Sequence, residues 1–298
     1  MSDAKRVVVT GANKGIGLAT VRAILRDEED SFVFLGSRSE ERGRSAREGL
    51  LDENPQWEER VEVLQLDVAD DESVARAARE VSKRFEGEET PLYGVVNNAG
   101  IGLGSEGMKR VLEVNTRGPR RVCEAFLPLI DPQRGRIVNI SSASGPNFVA
   151  SCDEERRELL TNPEVTWEEI DALMREALEI DARGGSFQAA GLRSGAAYGL
   201  SKACLNAYTI ALAREHPNLT INACTPGFIE TDLTRPYAER QGVSPEDLGM
   251  KPPEKGTRAP LFLLFGDPGS NGWYFGSDAE RSPLDRYRSP GDPPYRGE

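Results

Sequence analysis

A tyrosine and a lysine four positions apart, Tyr198 and Lys202 in the run Tyr-Gly-Leu-Ser-Lys, carry the most chemistry in this 298-residue sequence. On a helix, residues at that spacing share a face, so a phenol and an ammonium would point into one site. The ammonium favours the phenolate and draws the tyrosine pKa down toward neutrality, which lets Tyr198 give or take a proton. Upstream, Ser141 and Ser142 close a run of strand formers. Neighbours on a strand point to opposite faces, so one of the two hydroxyls can face the same site. Asn115, in Glu113-Val114-Asn115-Thr116-Arg117, stands inside an expected helix. Asparagine is intrinsically poor there, which invites a functional explanation, although a surface asparagine is the ordinary case. Together these residue types can deliver a proton to a carbonyl oxygen while a hydride reaches its carbon.

The hydride needs a carrier, and Thr10-Gly11-Ala12-Asn13-Lys14-Gly15-Ile16-Gly17 can hold one. Gly11 lets the chain leave a strand through a conformation other residues resist. Gly15 lets a helix amino end approach a phosphate, and Gly17 lets that helix pack on the sheet. Exposed amides and the helix dipole then favour the pyrophosphate of a dinucleotide. The spacing is G-x-x-x-G-x-G, which needs a strand before it and a helix after; both are present. A carboxylate at the end of the second strand commonly selects NADH. Here that end reads Leu35-Gly36-Ser37-Arg38, with Arg42 a helical turn on and Lys14 inside the glycine turn. Three cations suit a 2′-phosphate, hence NADPH, although Arg38 and Arg42 could be ordinary surface residues.

Strands and helices alternate through most of the chain, the pattern of a parallel sheet covered on both faces. Strands are expected at Arg6–Val9, Ser31–Leu35, Val61–Leu66, Tyr93–Val96, Arg136–Ile140, Leu219–Ala223 and Gly272–Phe275. Helices are expected at Gly15–Arg26, from Ser39, at Asp71–Phe85, at Lys109–Leu129 and from Tyr198 to Glu215. Parallel strands joined through helices cross over right-handed and make a doubly wound, seven-stranded α/β sheet. Ligands bind such sheets at the carboxyl ends of the strands, where Gly11, Arg38, Asp67, Asn97 and Ser142 all fall. The alternation breaks between about 151 and 191, a polar helical insert. Thr166-x-x-Glu169 is a capping box, and Ile170, Leu173, Ala177 and Leu178 form one apolar stripe, so the insert should dock. Residues 1–280 read as one domain, and the charged, proline-rich 281–298 as a loose tail.

The net charge of −12 argues against nucleic acid and anionic membranes as partners. Cys123, Cys152, Cys204 and Cys224 show no metal-ligand spacing, and His216 is the single histidine, so no metal site is expected. The cysteines read as reduced, buried thiols of a cytoplasmic protein. With a strand beginning near Val7 there is no room for a signal peptide, and no apolar run is long enough to span a membrane.

In their order, Thr10-Gly11-x-x-x-Gly15-x-Gly17, Asn97-Asn98-Ala99-Gly100, Asn115, Ser142, Tyr198-x-x-x-Lys202 and Pro226-Gly227 resemble the short-chain dehydrogenase/reductase family, from about Arg6 to Phe275. The long stretch before Tyr198, Asn13-Lys14-Gly15-Ile16-Gly17 and Pro226-Gly227-Phe228-Ile229-Glu230-Thr231-Asp232 look like its monomeric carbonyl reductase branch, with plant menthone and salutaridine reductases. The resemblance implies a Rossmann fold and roles: Tyr198 as general acid, Ser142 on the carbonyl oxygen, Lys202 on the nicotinamide ribose, and Asn115 anchoring a water. Asp67 and Val68 would border the adenine, Asn97 its ribose, and Thr231 the nicotinamide amide. Ala99, Pro226, Gly227 and Ile229 would complete the cofactor wall, with Phe148, Phe228 and part of the insert around the substrate. The loop from Asn98 to Arg110 is short and glycine-rich against the family pattern. The insert would cover the helices through which many relatives pair, which implies a monomer.

The resulting expectation is NADPH-dependent reduction of a small ketone or aldehyde. Two others stay open: an NAD-linked alcohol dehydrogenase, and a catalytically silent dinucleotide-binding regulator.

Overall fold

Short β-branched runs separated by amphipathic helices leave the strands apolar on both faces, and such strands assemble only with helices on either side. The computed structural model describes residues 4–102, 106–192, 197–269 and 271–297. The strands β1 (Lys5–Val9), β2 (Ser31–Ser37), β3 (Val61–Gln65), β4 (Gly94–Asn97), β5 (Arg136–Ile140), β6 (Thr220–Cys224), β7 (Tyr274–Phe275) and β8 (Arg281–Ser282) form one sheet, ordered β3-β2-β1-β4-β5-β6-β7-β8. β1 to β7 pair in parallel, and the order reverses between β1 and β4, which opens a crevice at their carboxyl ends.

The helices follow as α1 (Gly15–Asp27), α2 (Glu40–Glu53), α3 (Asp71–Arg84), α4 (Gly107–Leu112), α5 (Gly118–Phe126), α6 (Ser144–Val149), α7 (Glu154–Thr161), α8 (Trp167–Arg183), α9 (Ala197–Glu215), α10 (Arg235–Gln241) and α11 (Arg258–Phe265). One apolar cluster packs α1, α2 and α11 against the sheet through Val21, Ile24, Leu50 and Leu263. The other packs α3, α5 and α9 on the opposite face through Val81, Phe126, Leu205 and Leu212.

The single helix expected over Lys109–Leu129 is three pieces: α4, a π-helical turn at Glu113–Arg117 and α5. Widened turns of this kind concentrate at functional positions, and Asn115 lies at the middle of this one. The insert docks as α7 and α8. Thr166 Oγ1 accepts from the Glu169 amide at 3.3 Å, the Glu169 carboxylate accepts from the Thr166 amide at 2.8 Å, and Gly184 ends α8 with a left-handed φ of 61°. Its buried stripe is Ile170, Leu173, Met174 and Ala177, with Leu178 at the edge, and Trp167 meets Tyr208 of α9 edge-on at 5.5 Å.

The reading of 281–298 as a loose tail is overturned over much of its length. Arg281 and Ser282 pair antiparallel with β7, adding an eighth strand to the seven expected, and the Tyr295 amide returns to the Arg281 carbonyl at 3.0 Å. Arg288 is buried in an ion pair with Asp278, and Arg281 stacks 3.4 Å above the Trp273 ring. Charged, proline-rich composition signals disorder only where the charges lack partners; here they have them.

Candidate active site

The crevice begins where β1 ends. Gly11 takes φ 61°, and a Cβ there would come within 2.8 Å of the Ala99 Cα. A Cβ on Gly17 would lie 2.4 Å from Asn98 Nδ2 and 2.6 Å from the Gly11 carbonyl oxygen. Asn98 Nδ2 itself donates to the carbonyls of Thr10 at 2.9 Å and Gly11 at 3.1 Å, and Thr10 Oγ1 accepts from the Asn98 and Ala99 amides. The Asn97-Asn98-Ala99-Gly100 run thus clamps the glycine turn. No side chain caps α1, so its first amides are available to an anion.

Gly11, Asn13, Lys14, Gly15 and Ile16 line a cavity of about 550 Å³ together with Arg38, Arg42, Asp67, Val68, Ala99 and Thr231. That volume lies within the roughly 300–1,000 Å³ usual for cofactor and ligand sites. The turn, the uncapped helix and the cations fit a phosphorylated dinucleotide. Arg38 and Arg42 are both exposed at its edge. Lys14 is committed differently: it crosses to Asp232 at 2.5 Å, and this bond holds the Asp232 carboxyl below its usual pKa. The expected trio of cations is therefore two arginines and a lysine that ties the α1 end to the segment after β6.

Several expected cofactor residues do not line this cavity, Asn97 and Ile229 among them. Asn97 is buried, its Nδ2 donating to Asn139 Oδ1 at 2.9 Å and to Cys123 Sγ at 3.3 Å. As the last residue of β4 it points into the layer beneath α5, and Asn98 to Gly100 meet the crevice in its place. Ile229 is buried beside Gly256, where it packs with Ile16. Pro226 and Gly227 line a second cavity, of about 570 Å³, with Ser142 and Phe228. Phe148 lies beneath α9 against Gly199 and walls neither cavity, and no described residue of the insert lines this one. The segment after β8, Arg286 to Arg288 and Pro290, lines it instead.

Four residues do come together. Tyr198 and Lys202 share one face of α9 near its start, with Lys202 Nζ 5.8 Å from the Tyr198 ring centroid. The Ser142 hydroxyl faces the Tyr198 phenol closely enough to favour the phenolate. Ser141 takes the opposite direction, its hydroxyl donating to the Lys202 carbonyl at 3.3 Å. Ser142 Oγ accepts from the Ser144 amide at 3.1 Å, which leaves the hydroxyl proton free to donate. Asn115 Oδ1 accepts from the Ile101 amide at 2.9 Å, while its Nδ2 donates to the Ile101 carbonyl at 2.9 Å and to Ser201 Oγ at 3.0 Å. It braces the segment after β4 against α9. Gly100 opens a gap between these groups: a Cβ there would sit 3.4 Å from Asn115 Oδ1 and 3.7 Å from Lys202 Nζ.

The electrostatics depart from the sequence expectation. Burial pushes the Tyr198 phenol above its ordinary pKa, and the nearby Ser142 hydroxyl offsets only part of this. Burial also lowers Lys202 to about 8. Lys202 Nζ donates to the Ile140 carbonyl at 2.8 Å, which holds the ammonium behind the ring instead of against the phenol oxygen. Desolvation therefore outweighs the attraction on which a neutral-range phenolate would depend. All four cysteines are free and buried, and among the described residues no cluster of His, Cys, Asp and Glu could hold a metal. No helix among them is long and apolar enough to cross a membrane.

A glycine-clamped nucleotide crevice beside a Ser-Tyr-Lys group on a doubly wound sheet is the arrangement of a hydride-transfer oxidoreductase. The family model for short chain dehydrogenases matches residues 5–152. (+)-Neomenthol dehydrogenase of Arabidopsis thaliana is 36% identical over 253 residues, covering 76% of this chain and 83% of its own. Carbonyl reductase [NADPH] 1 of Homo sapiens is 33% identical over 280 residues, covering 89% and 92%. The structure of salutaridine reductase from Papaver somniferum aligns at a TM-score of 0.75 and 27% identity, covering 91% of this chain and 99% of that one. The chain belongs to the short-chain dehydrogenase family and is an oxidoreductase.

Proposed function

We propose that this protein reduces a ketone or aldehyde with NADPH, with Tyr198 as the proton donor. What carries the reading is the Tyr198 phenol facing the Ser142 hydroxyl, with the Lys202 ammonium behind its ring and next to Gly100 of the nucleotide crevice. Bound NADPH supplies the hydride to the carbonyl carbon. Ser142 donates its free proton to the carbonyl oxygen and holds it beside the phenol. Tyr198 gives up its proton as charge builds on that oxygen, and Lys202 stabilises the phenolate that remains. Lys202 also holds the nicotinamide ribose, and Asn115, through its remaining lone pair, holds a water for proton return.

Arg38 and Arg42 bind the 2′-phosphate, Asp67 and Val68 flank the adenine, and Thr231 approaches the nicotinamide amide. The raised phenol pKa keeps Tyr198 protonated, the form that reduction uses. The relatives named as NADPH carbonyl reductase and as neomenthol dehydrogenase support the same chemistry. Because α8 already covers the apolar face of α9, the protein acts as a monomer; its buried free thiols suit the cytoplasm.

The test is NADPH oxidation against quinones, aldehydes, cyclic ketones and keto esters, by the parent protein and by Tyr198→Phe. Turnover should vanish in the variant while NADPH affinity stays within about threefold, since one neutral hydroxyl contributes little to binding. Turnover retained without the phenol would remove the role assigned to it, and a preference for NADH would favour the NAD-linked alternative.

A further inference from the structure

Apart from the arginines at the nucleotide cavity, the second cavity also gathers positive charge that lacks an ion-pair partner among the described residues. Its lining holds Lys251, Lys255, Arg258, Arg286 and Arg288 against a single carboxylate, Asp278. Arg288 neutralises Asp278, and Arg286 is drawn toward its neighbour Asp285 at 3.2 Å. Lys251, Lys255 and Arg258 are exposed and form no side-chain ion pair or hydrogen bond with the described residues. The cavity also contains Ser142, so its cations share one space with the hydroxyl that faces the reacting carbonyl. Phe228, 42% exposed on this wall, and Tyr287, 52% exposed, add apolar surface that a ligand would cover.

The segment after β8 is held there by structure. Arg288 Nε donates to Ser282 Oγ at 3.0 Å, and its Nη1 donates to the Asp292 carbonyl at 2.6 Å. The Gly291 amide reaches Asp278 at 3.0 Å. An anchored wall of this kind presents Arg286 and Tyr287 at a fixed place opposite Ser142. On a protein of net charge −12, such a local reversal of sign attracts an anion out of a repelling field.

We infer that the carbonyl substrate carries an anionic group, a carboxylate or a phosphate, held by Lys251, Lys255 and Arg258 with the anchored C-terminal segment as the facing wall. The inference rests on the reductase reading for its carbonyl and adds the class of substrate. Charge-assisted contacts of this kind contribute about ten- to hundredfold in affinity. They weaken as salt rises, because the groups are exposed.

The experiment compares 4-carboxybenzaldehyde with its methyl ester as NADPH-linked substrates of the whole protein, at low and high salt. A second arm measures binding of 4-(hydroxymethyl)benzoate and its methyl ester by calorimetry, which needs no turnover. The acid should have at least a tenfold lower KM than the ester and bind at least tenfold tighter, with both advantages shrinking at high salt. Lys255→Glu with Arg258→Glu should bring both ratios to one or below; these side chains are exposed, so the fold is kept. Equal KM and equal affinity for acid and ester would overturn the inference while leaving the reductase reading intact. If neither aldehyde is reduced, the calorimetric ratio alone decides whether the cavity selects anions, and the reductase reading is decided separately by the wider carbonyl panel. Unaltered ratios in the doubly substituted protein would also overturn it.

Discussion

Replacing Lys202 by methionine should make the nucleotide-free protein more stable while abolishing its activity. Lys202 is 4% exposed, and burial lowers its pKa from 10.5 to about 8. In the unfolded chain the ammonium is fully hydrated, so holding it charged in the fold costs about 3 kcal/mol at pH 7. The sign follows from the lowered folded-state value. The cost is fully present below pH 8 and relaxes as pH rises from about 8 toward 10.5, falling to about 2 kcal/mol at pH 9. Methionine fills similar space without the charge but forfeits the bond from Nζ to the Ile140 carbonyl, roughly 1 kcal/mol. The net gain is then about 2 kcal/mol at pH 7 and about 1 kcal/mol at pH 9, a rise in Tm of about 3 °C and about 1–2 °C for a chain of this size. Thermal unfolding of both proteins at the two pH values, without nucleotide, is the assay. A lower Tm for the variant at pH 7, or a difference that grows with pH, would refute the reasoning that the lysine is kept for chemistry at the expense of stability.

Other outcomes follow from the same geometry. Arg38→Asp should weaken NADPH binding by about ten- to hundredfold and leave NADH nearly unaffected, as read by fluorescence titration of both nucleotides. Gly17→Ala places a Cβ 2.4 Å from Asn98 Nδ2, so it should break the clamp on the glycine turn, cost about 1–3 kcal/mol and lower nucleotide affinity more than tenfold. Arg288→Met leaves the part-buried Asp278 without its cation, which should cost about 1–3 kcal/mol locally; rapid amide exchange in 281–297, with the rest of the sheet protected, is the signature.

Much of the architecture is legible in the sequence because burial on both faces enforces apolar strands of recognisable length. Arg136–Ile140 and the ends of α1 and α9 are cases where apolar runs and glycine or proline punctuation mark boundaries closely. The Ser142 and Ser141 alternation is likewise a property of strand geometry and appears as such. What escapes is set by partners far away in sequence. The π turn at Asn115 exists because its amide braces Ile101 and Ser201, which local propensity cannot register. The C-terminal segment reads as disordered until Asp278 and Trp273 are seen to receive Arg288 and Arg281. The phenol and ammonium pKa values depend on burial, and four-residue spacing says nothing about desolvation. The role of Asn98 was within reach: it is a polar neighbour of the glycine turn in the same run as Asn97, and strand alternation separates the two.

The most direct measurement is a crystal structure of the protein with NADP+ and a non-reacting alcohol or amide analogue of a carbonyl substrate. The account requires the analogue oxygen within hydrogen-bond reach, roughly 2.6–3.2 Å, of both the Tyr198 hydroxyl and Ser142 Oγ. It also requires the Lys202 ammonium on the nicotinamide ribose. An analogue oxygen held elsewhere, with the phenol turned from the nicotinamide, would contradict it.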